Sequence, residues 1–493
     1  MRKSSATRRL LFALSGGLFL ALTLPGLQWW PLALLFPAGM LEALGRKSGW
    51  KVGILLGWAT GALHWMISAY WVLPLLSGYG TMSGVAASAC LLGTGLFLGS
   101  TWALFLGLLA VFPWRLRPVA FPALWILVEG IRSFPPYDFP WNSTAACLSG
   151  TPALLPSLSI WGASGLGWTL IALGSGFWAL RHGETRKSGI LLVSCALGFF
   201  LLLTTLAPAP KASGDKVVVA ALQPGTLLEE RWDPANWRRL SENVREMTFQ
   251  AGASNPKLIL WPESAMPFRF DSAENYREEV FSMSRELGAT ILLNSVASGK
   301  RGGLSNSVFA VSPSGTFTRY DKIHLVPFGE YIPTWGRFFF PGSLVHEVGH
   351  FRPGREVSLL DAGFPVGISV CFEIVFPRLA AAETRKGAAA LVTLTNDGWY
   401  GRSWASDQHF AQAVLRAVET RRWVLRAALT GISGLISPEG RVCGQLEAGE
   451  TGILEGEFQP MQGLTPAARF PDLWNICCLL FLLAIFVFRK PPG

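Results

Sequence analysis

Long apolar runs dominate the first 210 residues of this 493-residue chain, and one more run lies close to its C-terminus. A bilayer core about 30 Å thick requires roughly 20 apolar residues of helix, because only a helix or a closed barrel satisfies the backbone groups internally. Eight segments approach this length: 10–25, 28–44, 52–72, 84–112, 118–132, 160–180, 188–206 and 472–488. The sequence therefore predicts a polytopic α-helical membrane domain with about eight spans. Since Pro37 and Pro122 interrupt two segments, seven and nine spans stay open.

The basic residues between these segments are unevenly distributed. Lys and Arg precede the first segment, follow the last, and occupy the second, fourth and sixth connections, whereas residues 26–27, 73–83 and 133–159 contain neither. Since basic loops stay in the cytoplasm, both termini are predicted to be cytoplasmic and residues 207–471 periplasmic. The first segment also has signal-peptide character, but no small-residue cleavage site follows Leu24, which favours a retained span.

Residues 215–470 have the composition of a globular domain, and residues 207–214 resemble a linker. Alternating β-branched and helical segments predict an α/β layered domain. Strands are predicted at 217–223, 258–261, 290–296, 307–312, 366–370, 390–394 and 431–436, and helices at 229–252, 274–287, 374–386 and 406–421. We therefore expect three regions: a transmembrane domain of about seven spans (1–210), an external α/β domain (215–470) and a C-terminal transmembrane helix (472–488).

Three reactive side chains, Glu263, Lys322 and Cys371, stand at the ends of strand-like segments of this domain. Ligands bind beyond the carboxyl ends of strands in open α/β sheets. A thiolate is a strong nucleophile, Glu263 could take and return its proton, and Lys322 could favour the thiolate and stabilise an oxyanion. The N–H of Phe372, at a predicted helix start, is a second oxyanion donor. Each residue also has a structural explanation, as a turn carboxylate, a solvated lysine or a core thiol, and spacing alone does not decide.

Seven cysteines are present, but only Cys371 and Cys443 lie in the external region. A disulfide-stapled external domain would use more. A 371–443 disulfide stays open as an alternative, whereas an unpaired thiol in an oxidising compartment favours a chemical role.

The sequence around these residues resembles the nitrilase superfamily. The matching motifs, in chain order, are Trp261-Pro-Glu-Ser264, Tyr320-Asp-Lys-Ile-His-Leu-Val-Pro-Phe-Gly-Glu-Tyr331, Cys371-Phe-Glu373, Thr395-Asn-Asp-Gly-Trp-Tyr-Gly401, and His409 followed by Leu415-Arg-Ala-Val-Glu419. The His-Leu-Val-Pro-Phe-Gly-Glu-Tyr run and the eight-span pattern are similar to the apolipoprotein N-acyltransferase branch. In the membrane part, residues 129–132 and Phe139-Pro-Trp141 resemble the external-loop signature of that branch.

This resemblance implies a nitrilase-type αββα sandwich outside the membrane and a two-step acyl transfer. Cys371 would attack an ester of a phospholipid, and the thioester would acylate the α-amino group of the S-diacylglyceryl cysteine of an apolipoprotein. Glu263 would be the base, and Lys322 would stabilise the intermediate. Glu330 and Glu373 would hold Lys322 and orient the site.

The resemblance also implies supporting and lipid-contacting residues. Phe372 stands where the family commonly has Tyr, so the backbone N–H is kept and a hydroxyl is lost. Three consecutive phenylalanines on a loop favour a lid that touches lipid over core packing. The predicted substrate-binding and lid residues are Trp232, Asn306, Phe338, Phe339, Phe340, Trp399 and Tyr400.

Two other functions remain as alternatives. A membrane-anchored amidase of the same superfamily would use water as acceptor and need a small polar pocket. A transporter would place ionisable residues facing one another within spans, where His64 and Glu42 are almost the only candidates. The net charge of +10 follows from the loop bias and from attraction to anionic lipid. We expect no metal, cofactor or nucleic acid, and a monomer in the bacterial inner membrane with a phospholipid donor and a diacylglyceryl apolipoprotein acceptor.

Overall fold

The computed structural model describes residues 2–79, 82–299, 302–333, 351–401 and 403–488. The chain folds into two compact units. The first comprises Met1–Pro208, Tyr400–Ala411 and Phe470–Gly493, and the second comprises Ala209–Trp399 and Gln412–Arg469.

The first unit is helical. Its helices are Arg2–Leu22, Phe36–Leu44, Trp50–Ser68, Val72–Pro74, Gly84–Val111, Arg117–Ile131, Leu158–Leu180, Arg186–Thr205 and Leu473–Phe488, and it includes the first turns of Ala405–Thr420. Each of the eight predicted spans overlaps one of these helices.

Not every one of these helices is long and apolar enough to cross a membrane. Among the described residues, Gly84–Val111, Leu158–Leu180 and Arg186–Thr205 meet that criterion, and the bent pair Trp50–Ser68 and Val72–Gly78 meets it if counted as one span. The apolar stretches Trp30–Leu44 and Leu473–Val487 are shorter. The helical membrane character is thus clear, while the count of eight stays a prediction.

Glycines let two of these helices approach closely. A Cβ added to Gly57 of Trp50–Ser68 would lie 2.3 Å from the Trp102 carbonyl oxygen, and one added to Gly53 would lie 2.4 Å from the Leu106 carbonyl oxygen. Association between apolar helices in lipid depends on such close packing. These glycines therefore allow the backbones of Trp50–Ser68 and Gly84–Val111 to come into direct contact.

The second unit contains two six-stranded sheets and a small two-stranded one. Its strands are β1 (Lys211–Ala212), β2 (Val217–Gln223), β3 (Leu258–Leu260), β4 (Thr290–Ser298), β5 (Leu304–Val311), β6 (Phe317–Asp321), β7 (Leu360–Asp361), β8 (Pro365–Val370), β9 (Ala390–Thr395), β10 (Val424–Ala428), β11 (Ser433–Ile436), β12 (Val442–Leu446), β13 (Gly452–Phe458) and β14 (Met461–Gln462). The strand orders are β13-β2-β3-β4-β5-β6, β12-β11-β10-β9-β8-β7 and β1-β14. Strands β2, β3 and β4 are parallel neighbours, as are β8, β9 and β10.

The two large sheets share a core. Val219 and Leu260 of one sheet and Ile368 and Val392 of the other belong to a single cluster of fully buried apolar side chains. The helices of this unit are Leu228–Trp232, Trp237–Ala251, Glu274–Leu287, Pro377–Arg385, Pro466–Arg469 and the remainder of Ala405–Thr420. Trp237–Ala251 and Glu274–Leu287 pack on the first sheet, and Pro377–Arg385 packs on β8 of the second, which gives helix and sheet layers in the order α, β, β, α.

All seven predicted strands are present, with boundaries displaced by at most three residues, and the predicted helix at 274–287 is observed at those residues. The predicted helix at 229–252 is broken into Leu228–Trp232, a 3-10 turn and Trp237–Ala251, because Pro234 lies within it. Strands β1, β6, β7, β10, β12, β13 and β14 were not predicted.

Candidate active site

Glu263, Lys322 and Cys371 are brought to one edge of the second unit by the ends of three strands. Glu263 follows β3, Lys322 directly follows β6, and Cys371 directly follows β8. The exposed fractions of Glu263, Lys322 and Cys371 are 7%, 1% and 6%. The three groups are therefore buried close together: the Glu263 and Lys322 charges both affect the pKa of Cys371, and Glu263 and Cys371 both affect the pKa of Lys322.

The backbone of Cys371 has a left-handed conformation with φ of +51°. Such a conformation is uncommon for a residue with a Cβ and costs of order 1–3 kcal/mol, which the surrounding structure must supply. Cys371 opens the 3-10 turn Cys371–Val375 at the end of a buried parallel strand. The sharp turn sets the thiol at the carboxyl edge of the sheet rather than inside it.

Glu373 joins this turn to the segment that carries Lys322. Its Oε2 accepts a hydrogen bond from the Val370 N–H at 2.8 Å. Its Oε1 accepts hydrogen bonds from the Ile323 N–H at 2.7 Å, the His324 N–H at 3.0 Å and the Tyr320 hydroxyl, which lies at 2.9 Å. Complete burial raises the pKa of Glu373 to about 7, although Lys322 and the backbone donors oppose that shift.

The two oxygens of Glu263 have separate hydrogen-bond donors. Asn306 donates its side-chain N–H to Oε1 at 2.9 Å, and the Asn396 backbone N–H donates to Oε2 at 3.0 Å. Asn306 is itself held by Asn294, whose amide donates to Asn306 Oδ1 at 2.6 Å. Burial raises the pKa of Glu263, while the Lys322 charge and these donors lower it, and the net direction is upward. A carboxylate with a raised pKa suits general acid and base work.

Lys322 is paired with Glu330. The Lys322 Nζ lies 2.9 Å from the Glu330 carboxylate, which also accepts hydrogen bonds from the Asn306 amide at 2.9 Å and the Val326 N–H at 2.8 Å. Burial alone would lower the pKa of Lys322, but Glu330 and Glu263 outweigh it and raise that pKa above its ordinary range. Lys322 is therefore a permanent cation within the site.

The pKa of the Cys371 thiol lies above its ordinary value. Burial is the main cause that raises its pKa, the Glu263 carboxylate adds to the effect, and Lys322 opposes it. The sequence led us to expect Lys322 to favour a thiolate. The lysine acts in that direction, but burial and the neighbouring carboxylates are stronger, and the net direction favours the protonated thiol.

The other predicted site residues are distributed as follows. Phe372 is buried with its ring 5.3 Å from that of Phe376, and Trp399 is half-buried in the turn Asp397–Tyr400. Tyr400 is buried in the helical unit, 5.0 Å from the Trp71 ring. Trp232 ends the helix Leu228–Trp232, with its side chain outside the described atoms, and Phe338, Phe339 and Phe340 lie outside the described residues.

Three further observations bear on the sequence predictions. Cys443 is exposed whereas Cys371 is buried, and no disulfide joins these two described cysteines. Across the described ranges no group of His, Cys, Asp and Glu is arranged to hold a metal ion. Asn294 and Tyr320 were not predicted as site residues, although a lone Asn inside the apolar strand β4 and a Tyr two residues before Lys322 were available signals.

Both parts of the chain match known family models. Residues 16–176 match the apolipoprotein N-acyltransferase N-terminal domain, and residues 218–464 match the carbon-nitrogen hydrolase domain. A solved amidase of the nitrilase superfamily from Nesterenkonia AN1 is 17% identical, covers 51% of this chain and 92% of its own, and has a TM-score of 0.38.

Two curated relatives, each named apolipoprotein N-acyltransferase, match almost the whole chain. The protein of Geobacter metallireducens is 34% identical and covers 98% of this chain and 96% of its own length. The protein of Pseudomonas aeruginosa is 30% identical and covers 97% of this chain and 94% of its own length. With identity at this level over nearly the full length, and with both domains matched in the same order, the chain belongs to the apolipoprotein N-acyltransferase family.

Proposed function

We propose that this acyltransferase moves an acyl chain from a membrane phospholipid to the α-amino group of the N-terminal S-diacylglyceryl cysteine of apolipoproteins. The observation that carries the proposal is the buried cluster of Glu263, Lys322 and Cys371 at the strand ends. It supplies a nucleophile, a base and a fixed cation, which are the groups that acyl transfer through a covalent intermediate requires.

The first half-reaction forms a thioester. The Cys371 sulfur attacks the carbonyl carbon of a phospholipid ester while Glu263 takes the thiol proton. Negative charge then develops on the carbonyl oxygen, where the Lys322 ammonium and the Phe372 N–H stabilise it. The carbon–oxygen bond breaks, Glu263 returns the proton to the leaving oxygen, and a lysophospholipid departs.

The second half-reaction forms the amide. The neutral α-amino group of the lipoprotein cysteine attacks the thioester carbonyl, so that a carbon–nitrogen bond forms and the carbon–sulfur bond breaks. Glu263 takes a proton from the nitrogen and passes it to the Cys371 sulfur. Glu330 and Glu373 take no proton in this scheme. They hold Lys322 and the nucleophile turn through the contacts described above.

Both substrates are lipids, so the site must be reached from a bilayer. We propose a bacterial inner-membrane enzyme with eight spans, both termini in the cytoplasm and the catalytic domain in the periplasm. Its regions are 1–210, 215–470 and 472–488, and it acts as a monomer. The loop charges support this orientation, and the long apolar helices support the membrane location.

Aromatic residues would guide the acyl chains to the thiol. We propose that Phe338, Phe339 and Phe340 form one lipid-contacting lid and that Trp399 and Tyr400 form another. Trp232 would line the access to the site. Support comes from the preference of aromatic side chains for the membrane interface.

The acceptor is tested with a synthetic diacylated lipopeptide and a phospholipid labelled in its acyl chain. The proposal predicts a triacylated peptide bearing the label, and no product when the α-amino group is acetylated beforehand. Release of labelled free fatty acid at the same rate with either peptide would mean that water is the acceptor, as in the amidase alternative, and would overturn the proposal.

A further inference from the structure

A buried ion pair next to the candidate cluster joins the turn that follows β9 to the neighbouring strand β10. Arg426 of β10 donates from Nη2 to Asp397 Oδ2 at 2.7 Å, and neither side chain is exposed. The Thr395 hydroxyl donates to Asp397 Oδ1 at 2.8 Å, and Arg426 Nε donates to the Ile432 carbonyl at 2.9 Å. Both members of the pair are thus fixed by a second contact.

This turn carries one of the two hydrogen-bond donors of Glu263. Asn396 immediately precedes Asp397, and its backbone N–H lies 3.0 Å from Glu263 Oε2. Its side-chain oxygen accepts the N–H of Gly398 at 3.1 Å, which closes the turn. Because hydrogen bonds weaken steeply with poor geometry, a displaced Asp397 would weaken the bond from Asn396 to the base.

Gly431 lies directly against the Asp397 side chain. A Cβ added to Gly431 would lie 2.3 Å from Asp397 Oδ2 and 2.6 Å from its Cβ. Only glycine leaves room for the side chain there. The substitution Gly431→Ala would therefore push Asp397 out of place while leaving every charge of the site unchanged.

We infer that Arg426 and Asp397 are positioning residues of acyl transfer, whose ion pair holds the Asn396 N–H against Glu263 and so sets the strength of the base. The inference rests on the proposed role of Glu263. A buried ion pair is by itself weak evidence for stability, because desolvation of the two charges offsets their attraction. This pair lies beside Asn396, whose N–H donates to Glu263, so a role in positioning that donor explains the pair better than a contribution to stability.

The pair also matters for the nucleophile. The Asp397 charge contributes to the raised pKa of Cys371, and Arg426 balances that charge at 2.7 Å. Removal of Arg426 alone would leave a buried carboxylate without its cation. The charged and titratable groups that face Glu263 are Arg231, Lys322, Glu330 and Cys371, and all of them stay in place in the variants below.

The test measures single-turnover thioester formation from phosphatidylethanolamine as a function of pH. Arg426→Met is expected to slow acylation of folded enzyme by about 10- to 100-fold, the range seen when a group that orients a metal ligand is removed. It should also move the acid limb of the pH–rate profile, where the rate falls as the pH is lowered, to higher pH. The reason is that loss of a hydrogen bond to the carboxylate raises the pKa of Glu263. The double variant Asp397→Asn with Arg426→Met should recover part of the rate, since no unpaired charge remains.

Arg416→Met is the matched control. It breaks another buried ion pair of the same unit, Arg416 with Glu419 at 2.8 Å. It also removes a hydrogen bond from Arg416 to the Val375 carbonyl at the end of the nucleophile turn, but it leaves Asp397 and Arg426, which hold the Asn396 turn, unchanged. This control should lower the melting temperature without moving the acid limb. Should Arg426→Met not fold, Gly431→Ala gives the same test, with Gly452→Ala as its control because a Cβ there meets only the Leu446 methyl groups, at 3.5 and 3.6 Å.

An acid limb that coincides with the parent in Arg426→Met and Gly431→Ala, with rates per folded enzyme also unchanged, would overturn this inference alone. An equal shift in Arg416→Met would do the same. A parent enzyme that forms no thioester would overturn the proposed function and this inference together.

Discussion

Both units of the molecule bury a carboxylate against a cation, but the balance of charge differs between them. In the helical unit, Glu129 and Arg132 form a pair at 3.2 Å. Thr144 donates both its N–H and its hydroxyl to Glu129, at 2.9 and 2.8 Å, and Arg132 donates to the Trp141 carbonyl at 2.9 Å. One acid meets one base, and the remaining contacts tie the helix end to the loop that follows it.

In the second unit the charges around the thiol are unequal. Lys322 is the cation that Glu263, Glu330 and Glu373 all influence, and Cys371 adds a group that must lose a proton during the reaction. Burial is the main cause that raises the pKa of Glu263, Glu373 and Cys371, and neighbouring carboxylates add to it at Glu263 and Cys371. We therefore expect the balanced Glu129–Arg132 pair to serve structure, and the unbalanced cluster beside Cys371 to serve the proposed chemistry.

The largest expected effect is the loss of the catalytic groups. Cys371→Ala, Glu263→Ala and Lys322→Ala should each lower the rate of acyl transfer by about 10⁴-fold or more, because each removes a member of a unit that acts together. Labelled triacylated peptide measures the rate, and gel filtration in detergent checks folding. Cys443→Ala, which removes the exposed thiol of the same unit, is the control and should keep parental activity. Near-parental activity in a catalytic variant would remove that residue from the mechanism.

Changes to the Glu129–Arg132 pair should lower stability and leave the pH dependence of acylation unchanged. Arg132→Met leaves the Glu129 carboxylate buried without its cation and is expected to cost about 3–5 kcal/mol of stability. Glu129→Gln with Arg132→Met should cost less than the sum of the single changes. Thermal unfolding in detergent gives the stability, and acylation per folded enzyme should keep the parental acid limb. A shifted acid limb in Arg132→Met would contradict the purely structural role of the Glu129–Arg132 pair.

The smallest effect concerns a donor of the base. Asn306→Ala removes the hydrogen bond to Glu263 Oε1, and because that bond favours the charged form, its loss raises the pKa of Glu263 further. Glu263 must be ionised to accept the thiol proton, so the acid limb of acylation should move to higher pH, with a rate loss of about tenfold near neutral pH. A limb that moves to lower pH would contradict the assignment of Glu263 as the base.

The sequence predicted the parts of the fold that have a strong local pattern. The apolar strand β2 and the amphipathic helix Glu274–Leu287 were predicted at their observed residues. Strand β10 was missed because Arg426 stands at its centre, and the carboxylate with which it pairs when buried, that of Asp397, lies in a separate segment. Strand β6 was missed because it is a short, polar edge strand.

Candidate site residues could be named from the sequence only where the motifs are continuous. Glu263, Lys322 and Cys371 could be named from the motifs, but the direction of the thiol pKa could not, because it depends on burial by strands from both sheets. The four donors to Glu373 likewise converge from two segments separated by about fifty residues. Such contacts exist only after folding.

The most direct test of the covalent mechanism is the intact mass of the detergent-purified enzyme after incubation with phospholipid and no acceptor. We expect one added acyl group that maps to Cys371, is released by neutral hydroxylamine as a thioester should be, and disappears when a diacylated lipopeptide is added. An adduct on another residue, or an unmodified enzyme that still produces triacylated peptide, would contradict the claim that Cys371 carries the acyl chain between the two substrates.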